Sequence, residues 1–221
     1  MANILRMRAA LADRSTSPSG KRSSADEQLL ECTSQLLAQR SAIQVSLREI
    51  AEVSGLNSSL IKYHFGSKDD LLLALVRRDA AVLLERLDHL VELDLAPEEK
   101  IRLHIAGVID AYLRYPYLNQ LIHYLLTNSE ERIAQQIATS FVGPVVGSQS
   151  KILEQGFARG VFRRTDPMLF YYSVIGACDY IFFGRASRKV VFGVDEISAK
   201  IRDGYIDYVC DMTLRMLTRH S

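Results

Sequence analysis

Four helix starts lie close together near the beginning of this chain, and they constrain its fold more than any other feature. Each start has a residue whose side chain can accept a hydrogen bond from a free helix amide: Ser24, Ser46, Asn57 and Ser67. The first two are followed three residues later by Glu27 and Glu49, which completes a capping box. The pattern therefore predicts a compact set of short helices at the N-terminal end.

The turn between the second and third predicted helices has the composition of a helix-turn-helix. Gly55 can adopt the left-handed conformation that a tight turn requires, and Ala51 is small enough for two helices to cross closely. Five residues of these helices are expected to face a small core: Ile50, Ala51, Val53, Leu60 and Ile61. The polar residues of the third helix are expected to point outward: Ser58, Ser59, Lys62, Tyr63 and His64. Such side chains can contact the phosphates and base edges of DNA.

Three short runs in this region resemble the signature of the TetR, or tetracycline-repressor-like, family. They are LREIA at 47–51, GLN at 55–57 and YHFGSKDDL at 63–71. The resemblance implies an all-α fold, with an N-terminal three-helix helix-turn-helix DNA-binding domain and a larger C-terminal helical domain for ligand binding and dimerisation. It also implies a DNA-binding transcriptional regulator.

The same resemblance implies which residues contact DNA. They lie at the start of the second helix, along the third helix and at the start of the fourth: Ser46, Arg48, Ser58, Ser59, Lys62, Tyr63, His64 and Lys68. Lys68 is expected to bind a backbone phosphate. The chain departs from the family pattern at Lys62, where a tyrosine is more frequent, and at Leu60, where a threonine is common. These departures leave docking intact and leave the identity of the bases open.

Helical periodicity and the positions of proline divide the rest of the chain. Further helices are predicted at about 67–93, 98–114, 117–127, 130–159, 167–185 and 195–217. Gly143 and Pro144 are expected to kink the helix over 130–159. The total is about nine helices. The predicted domains are a disordered basic arm over 1–23, the helix-turn-helix domain over 24–68 and a helical effector-binding and dimerisation domain over 69–221.

The helix predicted from Pro167 to Arg185 is apolar on all sides, so it must be covered on more than one side. Dimerisation would cover it, because its free face could pack against a second copy. We expect the final helix to join that interface through six apolar residues: Ile197, Ile201, Tyr205, Tyr208, Met212 and Met216. A homodimer would also present two recognition helices to successive major grooves.

Helical domains of this family are sensors, so the resemblance implies a small-molecule effector. Aromatic and polar residues between about 98 and 183 are the candidates for its site: His104, Tyr112, Tyr115, Leu121, His123, Tyr124, Phe141, Phe157, Tyr172, Asp179 and Phe183. Pockets are mostly apolar, with a few polar groups that orient the ligand, and His104, His123 and Asp179 could be those groups. The aromatic content favours a lipophilic or aromatic effector. A well-packed core would have the same composition.

Composition excludes several classes of protein. The net charge of +1 cannot draw the whole molecule to DNA, so any attraction must be local. The three cysteines are far apart and form no metal or disulfide pattern, and no metal site or cofactor is predicted. No nucleophile elbow or Gly-rich phosphate loop suggests an enzyme. The most apolar stretch, 168–183, is too short to span a membrane, so a cytoplasmic protein is expected.

Two functional hypotheses remain open on the sequence alone. In the first, a homodimer binds a palindromic DNA operator, represses transcription and is released by the effector. In the second, the same fold is a protein-interaction scaffold that binds DNA without a small-molecule effector. The sequence leaves the effector, the operator and the regulated genes open, and it does not distinguish a repressor from an activator.

Overall fold

The computed structural model describes residues 24–39, 43 and 45–218. The basic arm predicted over 1–23 lies outside the described residues. The helices are α1 (Ser24–Ala38), α2 (Leu47–Ser54), α3 (Ser58–Phe65), α4 (Lys68–Glu92), α5 (Pro97–Arg114), α6 (Leu118–Thr127), α7 (Glu131–Ile137), α8 (Gly143–Ala158), α9 (Pro167–Phe183), α10 (Arg185–Phe192) and α11 (Ala199–Leu217). A short π-helical segment, Ala138–Val142, joins α7 to α8. The predicted all-α class is confirmed.

The local signals around the helix-turn-helix act as the sequence predicts. The Ser46 hydroxyl accepts a hydrogen bond from the Glu49 amide at 3.2 Å, and the Glu49 carboxylate accepts one from the Ser46 amide at 2.8 Å. Gly55 ends α2 with a φ of 68°, in the left-handed region that favours glycine. Asn57 then caps α3 by accepting from the Ser59 amide. The turn and its two helices are therefore specified locally.

The helix predicted over 130–159 is interrupted earlier than expected. The break is the π-helical segment Ala138–Val142, which ends just before Gly143 and Pro144. The Gly143 amide donates to the Ala138 carbonyl, five residues back. Pro144 has no amide hydrogen to donate to the preceding turn, so a wider turn at this point is physically reasonable. The interruption of this helix near Gly143 was predicted, but its π-helical form was not.

The connection between α9 and α11 also differs from the prediction. A further short helix, α10, was missed, and the last helix begins at Ala199 with Ser198 as its cap rather than at Asp195. Asp195 instead accepts hydrogen bonds from Lys189 at 2.7 Å and Arg185 at 3.2 Å. The carboxylate that suggested a helix start is thus used in a tertiary contact.

The described residues form two compact units. The first unit comprises 24–82 and 115–143, and the second comprises 83–114 and 144–218. The predicted domain boundary after residue 68 does not coincide with this division, because 69–82 and 115–143 associate with the helix-turn-helix. The first unit buries small aliphatic side chains such as Leu30, Ile50 and Ile61 completely. The second unit has an apolar core of its own: Val91, Ile101, Ile105, Ala106, Ile109, Ile152, Leu153, Phe162, Phe170, Val174, Cys178, Ile206, Val209, Cys210, Leu214 and Leu217.

Candidate nucleic-acid interface

The helix α3 is attached to the first unit by one apolar side chain and by its flanking turns. Ile61 is fully buried, and it is the single buried residue of the eight in α3. The neighbouring helix α2 is held through Ile50 and through its last carbonyl, since Gln28 of α1 donates to the Ser54 oxygen at 2.8 Å. The remaining surface of α3 is therefore available for another molecule.

The structure exposes most of the predicted DNA-contact residues on α2 and α3. Tyr63 is 83% exposed, and Ser58, Ser59 and Lys62 are exposed beside it on α3. The Arg48 side chain on α2 is 89% exposed and donates to Glu52 at 2.9 Å, one helical turn away. These side chains place hydroxyl, phenol, ammonium and guanidinium donors on one pair of short helices, which is the chemistry that phosphates and base edges require.

Two residues expected in the core of this region are on its surface. Val53 is 52% exposed and Leu60 is 36% exposed. In a helix each residue is rotated by about 100° from the last. Ile50 and Ser54 form the buried face of α2, and Val53 lies at the edge of that face, where it is exposed. Leu60 is rotated away from the buried Ile61 in the same manner. The prediction that both face inward was wrong.

His64 has a different environment from its neighbours on α3. Its Nδ1 lies 2.7 Å from Asp26 Oδ1 of α1, and the two side chains are only 20% and 22% exposed. Its ring also meets the Tyr63 ring edge-on, with 5.2 Å between centroids. Ser46 is likewise engaged, because its hydroxyl both caps α2 and donates to Glu49. His64 is therefore half-buried against α1, whereas Ser46 is exposed and its hydroxyl is engaged in the capping box.

Lys68, at the start of α4, lies against an aromatic ring. Its Nζ is 5.4 Å from the centroid of the Tyr124 ring, within the range of a cation–π interaction. The two residues line a shallow surface cavity of about 280 Å³ with Ser67, Asp69, Glu130 and Ile133. Tyr124 was predicted to contact an effector, and the structure assigns its ring to this lysine.

A buried polar network, which sequence reasoning missed, lies behind the helix-turn-helix. The Tyr117 hydroxyl donates to Asp79 Oδ2 at 2.5 Å and lies 2.7 Å from the Ser34 hydroxyl of α1. Arg78 donates to the other Asp79 oxygen at 2.8 Å. Burial, together with the hydrogen bond to Asp79, raises the pKa of Tyr117 well above its usual range. Helices α1 and α4 are thus tied to the start of α6.

The predicted effector residues are distributed over both units. The second unit contains buried His104 and Tyr112, half-buried Asp179, and exposed Phe157, Tyr172 and Phe183. The first unit contains exposed His123, buried Leu121, and half-buried Tyr115, Tyr124 and Phe141. Some of these rings have protein partners: Tyr112 packs edge-on against Phe182, and the Arg164 guanidinium lies 4.6 Å from the centroid of the Phe157 ring. These rings therefore contribute to packing within their own units.

One polar pair is buried inside the second unit. His104 of α5 and Gln149 of α8 are 5% and 0% exposed, and their Nε2 atoms are 2.8 Å apart. Burial lowers the pKa of His104 to about 4, so its ring is neutral at pH 7. The Gln149 Oε1 atom is buried and has no hydrogen-bond partner among the described residues. Burying an unpaired amide oxygen costs about 1–3 kcal/mol. Gln149 was not a sequence candidate, although it is one of two polar residues, with Ser148, among the buried positions of α8.

The two sides of α9 differ as the all-round apolar pattern suggests. Phe170, Val174 and Cys178 are buried in the core. The opposite side is exposed, together with part of α11: Met168, Leu169, Tyr172, Tyr180, Phe183, Tyr208 and Met212. Other residues expected in an interface are used within the chain, because Tyr205 donates to the Ala177 carbonyl and Met216 packs on the core. Ile197 precedes α11.

Comparison with known families identifies the chain. A family profile described as "Bacterial regulatory proteins, tetR family" matches residues 29–75. A second profile, "Tetracyclin repressor-like, C-terminal domain", matches residues 94–219, which is more than half of the chain. The chain belongs to the TetR family. It is a DNA-binding transcriptional regulator, and the matched families agree with the prediction that it is not an enzyme.

Individual relatives agree with this assignment. The TetR-family chain is 26% identical over 176 residues to the HTH-type transcriptional repressor NicS of Pseudomonas putida, covering 78% of this chain and 82% of that protein. Its fold is similar to FadR from Bacillus subtilis in complex with stearoyl-CoA, with a TM-score of 0.68, 17% identity and coverage of 86% and 98%. It is also similar to a tetR-family regulatory protein from Rhodococcus, with a TM-score of 0.70, 16% identity and coverage of 90% and 100%.

Among residues 24–39, 43 and 45–218, no group of three or more His, Cys, Asp or Glu side chains is placed to hold a metal ion. In the same part of the chain, no helix combines the length and the apolar character that crossing a bilayer requires.

Proposed function

We propose that this TetR-family regulator is a repressor that binds a palindromic operator as a homodimer and is released by a small lipophilic or aromatic effector. The observation that carries the proposal is the exposed donor surface of α2 and α3 on a locally capped frame. Arg48, Lys62 and Tyr63 reach solvent there, while Ile61 and the two caps hold the helices in place. A rigid helix with free donors is what a major groove accepts.

The roles of the DNA-contact residues follow from their environments. We assign Lys62 and Arg48 to phosphates and base edges, and Ser58, Ser59 and Tyr63 to phosphate and sugar contacts beside them. Lys68 is assigned to a backbone phosphate, which it reaches by leaving the face of the Tyr124 ring. His64 and Ser46 act indirectly, because Asp26 and Glu49 already engage their polar atoms.

The DNA assignment is tested by titrating the purified regulator against its own upstream region at several salt concentrations. Lys62→Ala and Lys68→Ala should each weaken binding by about 5- to 100-fold, and each should reduce the slope of log affinity against log salt by about 1. Lys151→Ala is the matched control, since Lys151 is an exposed lysine on α8. Unchanged affinity in both test variants, or an affinity independent of salt, would reject the assignment.

Homodimerisation is supported by the exposed apolar side of α9. Leu169, Tyr172 and Phe183 are each at least 60% exposed in the single chain, whereas soluble proteins rarely leave a large contiguous apolar patch uncovered. An obligate interface typically buries more than about 2,000 Å². Two copies would also present their α3 helices to grooves about 34–36 Å apart.

Sedimentation of a charged variant tests the dimer. Leu169→Glu should produce monomers at micromolar concentration, because it buries an unpaired carboxylate in the interface. Lys151→Glu, which also adds a negative charge, should remain dimeric. Dimers that persist in Leu169→Glu, Tyr172→Glu and the double variant would show that α9 is not the interface.

The apolar core of the second unit supports a lipophilic effector, as does the similar FadR structure, which contains stearoyl-CoA. Release from DNA requires that the effector prefer the conformation with low operator affinity, and a coupling of about 1–3 kcal/mol would give a 5- to 150-fold response. The measurement is operator binding with and without candidate lipophilic compounds. A regulator whose operator affinity no such compound alters would contradict this part of the proposal.

The protein-interaction scaffold remains a second candidate because of one feature of α10. Val190, Val191 and Phe192 are 83%, 68% and 75% exposed, and they form a continuous apolar end on this short helix. A partner protein could bind there through these side chains. The scaffold is favoured if a specific partner binds without DNA, if Val191→Glu abolishes that binding, and if no small molecule alters operator affinity.

A further inference from the structure

We infer that His104 and Gln149 form the polar end of an effector site, which selects an uncharged hydrogen-bond donor on an otherwise apolar ligand. This inference rests on the proposed function, because it concerns the chemistry of the effector. It begins from the Gln149 Oε1 atom, which is buried and has no partner among the described residues. A buried amide oxygen in that state is a place for a donor from another molecule.

The geometry determines which hydrogen-bond roles are free. The Gln149 amide nitrogen faces His104 Nε2 at 2.8 Å. Because the amide nitrogen donates, His104 Nε2 accepts, and the proton of the neutral ring resides on Nδ1. The contact with His104 thus uses the Nε2 donor of the Gln149 amide, and its Oε1 acceptor remains without a partner among the described residues. A ligand hydroxyl, phenol or N–H group can complete the pair, whereas an ether oxygen cannot.

Buried apolar residues flank the pair along both helices, together with two polar ones: Ser148, which donates to Asp88 at 2.8 Å, and Lys100. Ile101 and Ile105 lie near His104 in α5, and Val145 and Ile152 lie one turn from Gln149 in α8; all four are at most 7% exposed. The body of a ligand that reaches Gln149 must therefore be hydrophobic.

Two cations of α5, the helix that carries His104, are already engaged. Lys100 of α5 donates to the Val91 carbonyl at 2.6 Å and to Gln155 at 2.7 Å. Arg102 pairs with Asp211 of α11 at 3.1 Å. A carboxylate or phosphate placed at Gln149 would meet a neutral ring and an amide oxygen instead of a compensating positive charge. The selected group is accordingly uncharged, as in an alcohol or a phenol.

The experiment uses the full chain and four probes of similar shape: 4-propylphenol, 4-propylanisole, propylbenzene and 4-propylbenzoate. Binding is measured by calorimetry at pH 7. We expect 4-propylphenol to bind about tenfold more tightly than 4-propylanisole and propylbenzene, and 4-propylbenzoate to bind least. The ranking in the unmodified protein does not depend on the folding of any variant. Equal or tighter binding of the anisole, or no binding by any probe, would overturn the inference.

Gln149→Met then connects the ranking to this residue. Methionine keeps the length of the side chain but removes the amide, so the preference for the phenol should disappear while propylbenzene affinity stays the same. Gln135→Met is the matched control, because Gln135 is an exposed glutamine on α7. A preference for the phenol that survives in Gln149→Met would also overturn the inference.

Thermal unfolding of the free protein distinguishes a ligand site from a permanently bound water. Because Gln149→Met also removes the donor to His104 Nε2, the Tm of His104→Leu/Gln149→Met is compared with that of His104→Leu. In this background the loss of the amide should leave the Tm unchanged or raise it, since it removes an unpaired buried oxygen. A clear loss of Tm would mean that a resident water already completes the pair, which contradicts the inference.

Operator binding separates this inference from the proposed function. If 4-propylphenol binds with the expected preference but leaves operator affinity unchanged, the regulatory proposal fails and the site stands. If a compound releases the operator equally well from the Gln149→Met variant, the site fails and the regulatory proposal stands.

Discussion

The two units of this regulator differ in the polar groups that they bury. In the first unit, Asp79 is buried and receives hydrogen bonds from Tyr117 and Arg78, and Arg132 donates to both oxygens of Asp70. In the second unit, large apolar side chains such as Phe162 are buried, and His104 with Gln149 forms a buried polar pair that carries no charge at pH 7. Both units have extensive apolar cores. The first unit buries a carboxylate held by two donors, whereas the second buries this neutral pair and the Lys100 ammonium.

The difference is understandable from the sizes of the elements. The helices α2 and α3 have eight residues each and bury few side chains, so their orientation needs contacts with a defined geometry. The longer helices of the second unit bury more apolar side chains each, and polar contacts such as that from Arg202 to Asp110 at 2.6 Å join them.

The strongest test of the apolar unit is a single added methyl group. A Cβ at Gly156 of α8 would lie 1.9 Å from the Phe162 ring, which is fully buried and cannot move aside. Gly156→Ala should therefore lower the free energy of unfolding by about 3 kcal/mol or more. Gly147→Ala in the same helix meets no atom within 4 Å and should raise it by about 0.5–1 kcal/mol. Similar urea midpoints for the two variants would contradict this account of the core.

Acid should weaken the second unit through His104. Burial lowers the pKa of this residue from 6.5 to about 4, so the unfolded chain binds a proton between these values and the folded chain does not. Above pH 6.5 His104 is neutral in both states and does not affect the pH dependence. As the pH falls from 6.5 to 4, protonation of the unfolded chain lowers the free energy of unfolding by about 3 kcal/mol. Urea unfolding across this range should show the decrease in the wild type and in the exposed-site control His123→Leu. A decrease of the same size in His104→Leu would rule out His104 as its cause.

Removing one hydroxyl group from each unit compares their reliance on polar contacts. Tyr117→Phe leaves buried Asp79 with one donor fewer and should cost about 2 kcal/mol. Tyr112→Phe in the second unit keeps the ring that packs on Phe182 and should cost less than about 1 kcal/mol. Thermal unfolding measures both. Equal losses would mean that the contrast between the units is not one of hydrogen bonding.

The smallest expected effects concern ion pairs near the surface. Arg132→Ala breaks a contact with half-buried Asp70, and Arg102→Ala breaks one with exposed Asp211. Each should change the free energy of unfolding by less than about 1 kcal/mol, with the larger change for Arg132. Chemical denaturation at low and high salt measures the free energy of unfolding of the two variants. A larger change for Arg102→Ala than for Arg132→Ala would contradict the expected difference between the units.

The sequence predicted those features of the fold that local chemistry determines. Ser46, Gly55 and Asn57 each act within four residues of themselves, so the helix-turn-helix and its boundaries could be read directly. The prediction that the last helix begins at Asp195 was wrong, because this carboxylate accepts hydrogen bonds from Arg185 and Lys189 instead of capping a helix. A cap and a tertiary ion pair use the same residue type, and the sequence does not distinguish them.

The candidate sites divide in the same way. The exposure of Lys62 and Tyr63 followed from the helical period, whereas the engagement of His64 with Asp26 depends on how α1 crosses α3. The partners Asp79 with Tyr117 and His104 with Gln149 are 38 and 45 residues apart in the chain. Only packing brings such pairs together, so helical periodicity could indicate that these positions are buried but not what they contact.

The small number of α3 side chains that pack on the first unit has an evolutionary consequence. Substitutions at Ser58, Ser59, Lys62 and Tyr63 alter the outer surface of the helix without disturbing a packed neighbour. Duplicated copies of such a gene can therefore acquire new operator preferences at little cost to folding. A substitution at His64 would instead disturb folding contacts, because His64 pairs with Asp26 of α1.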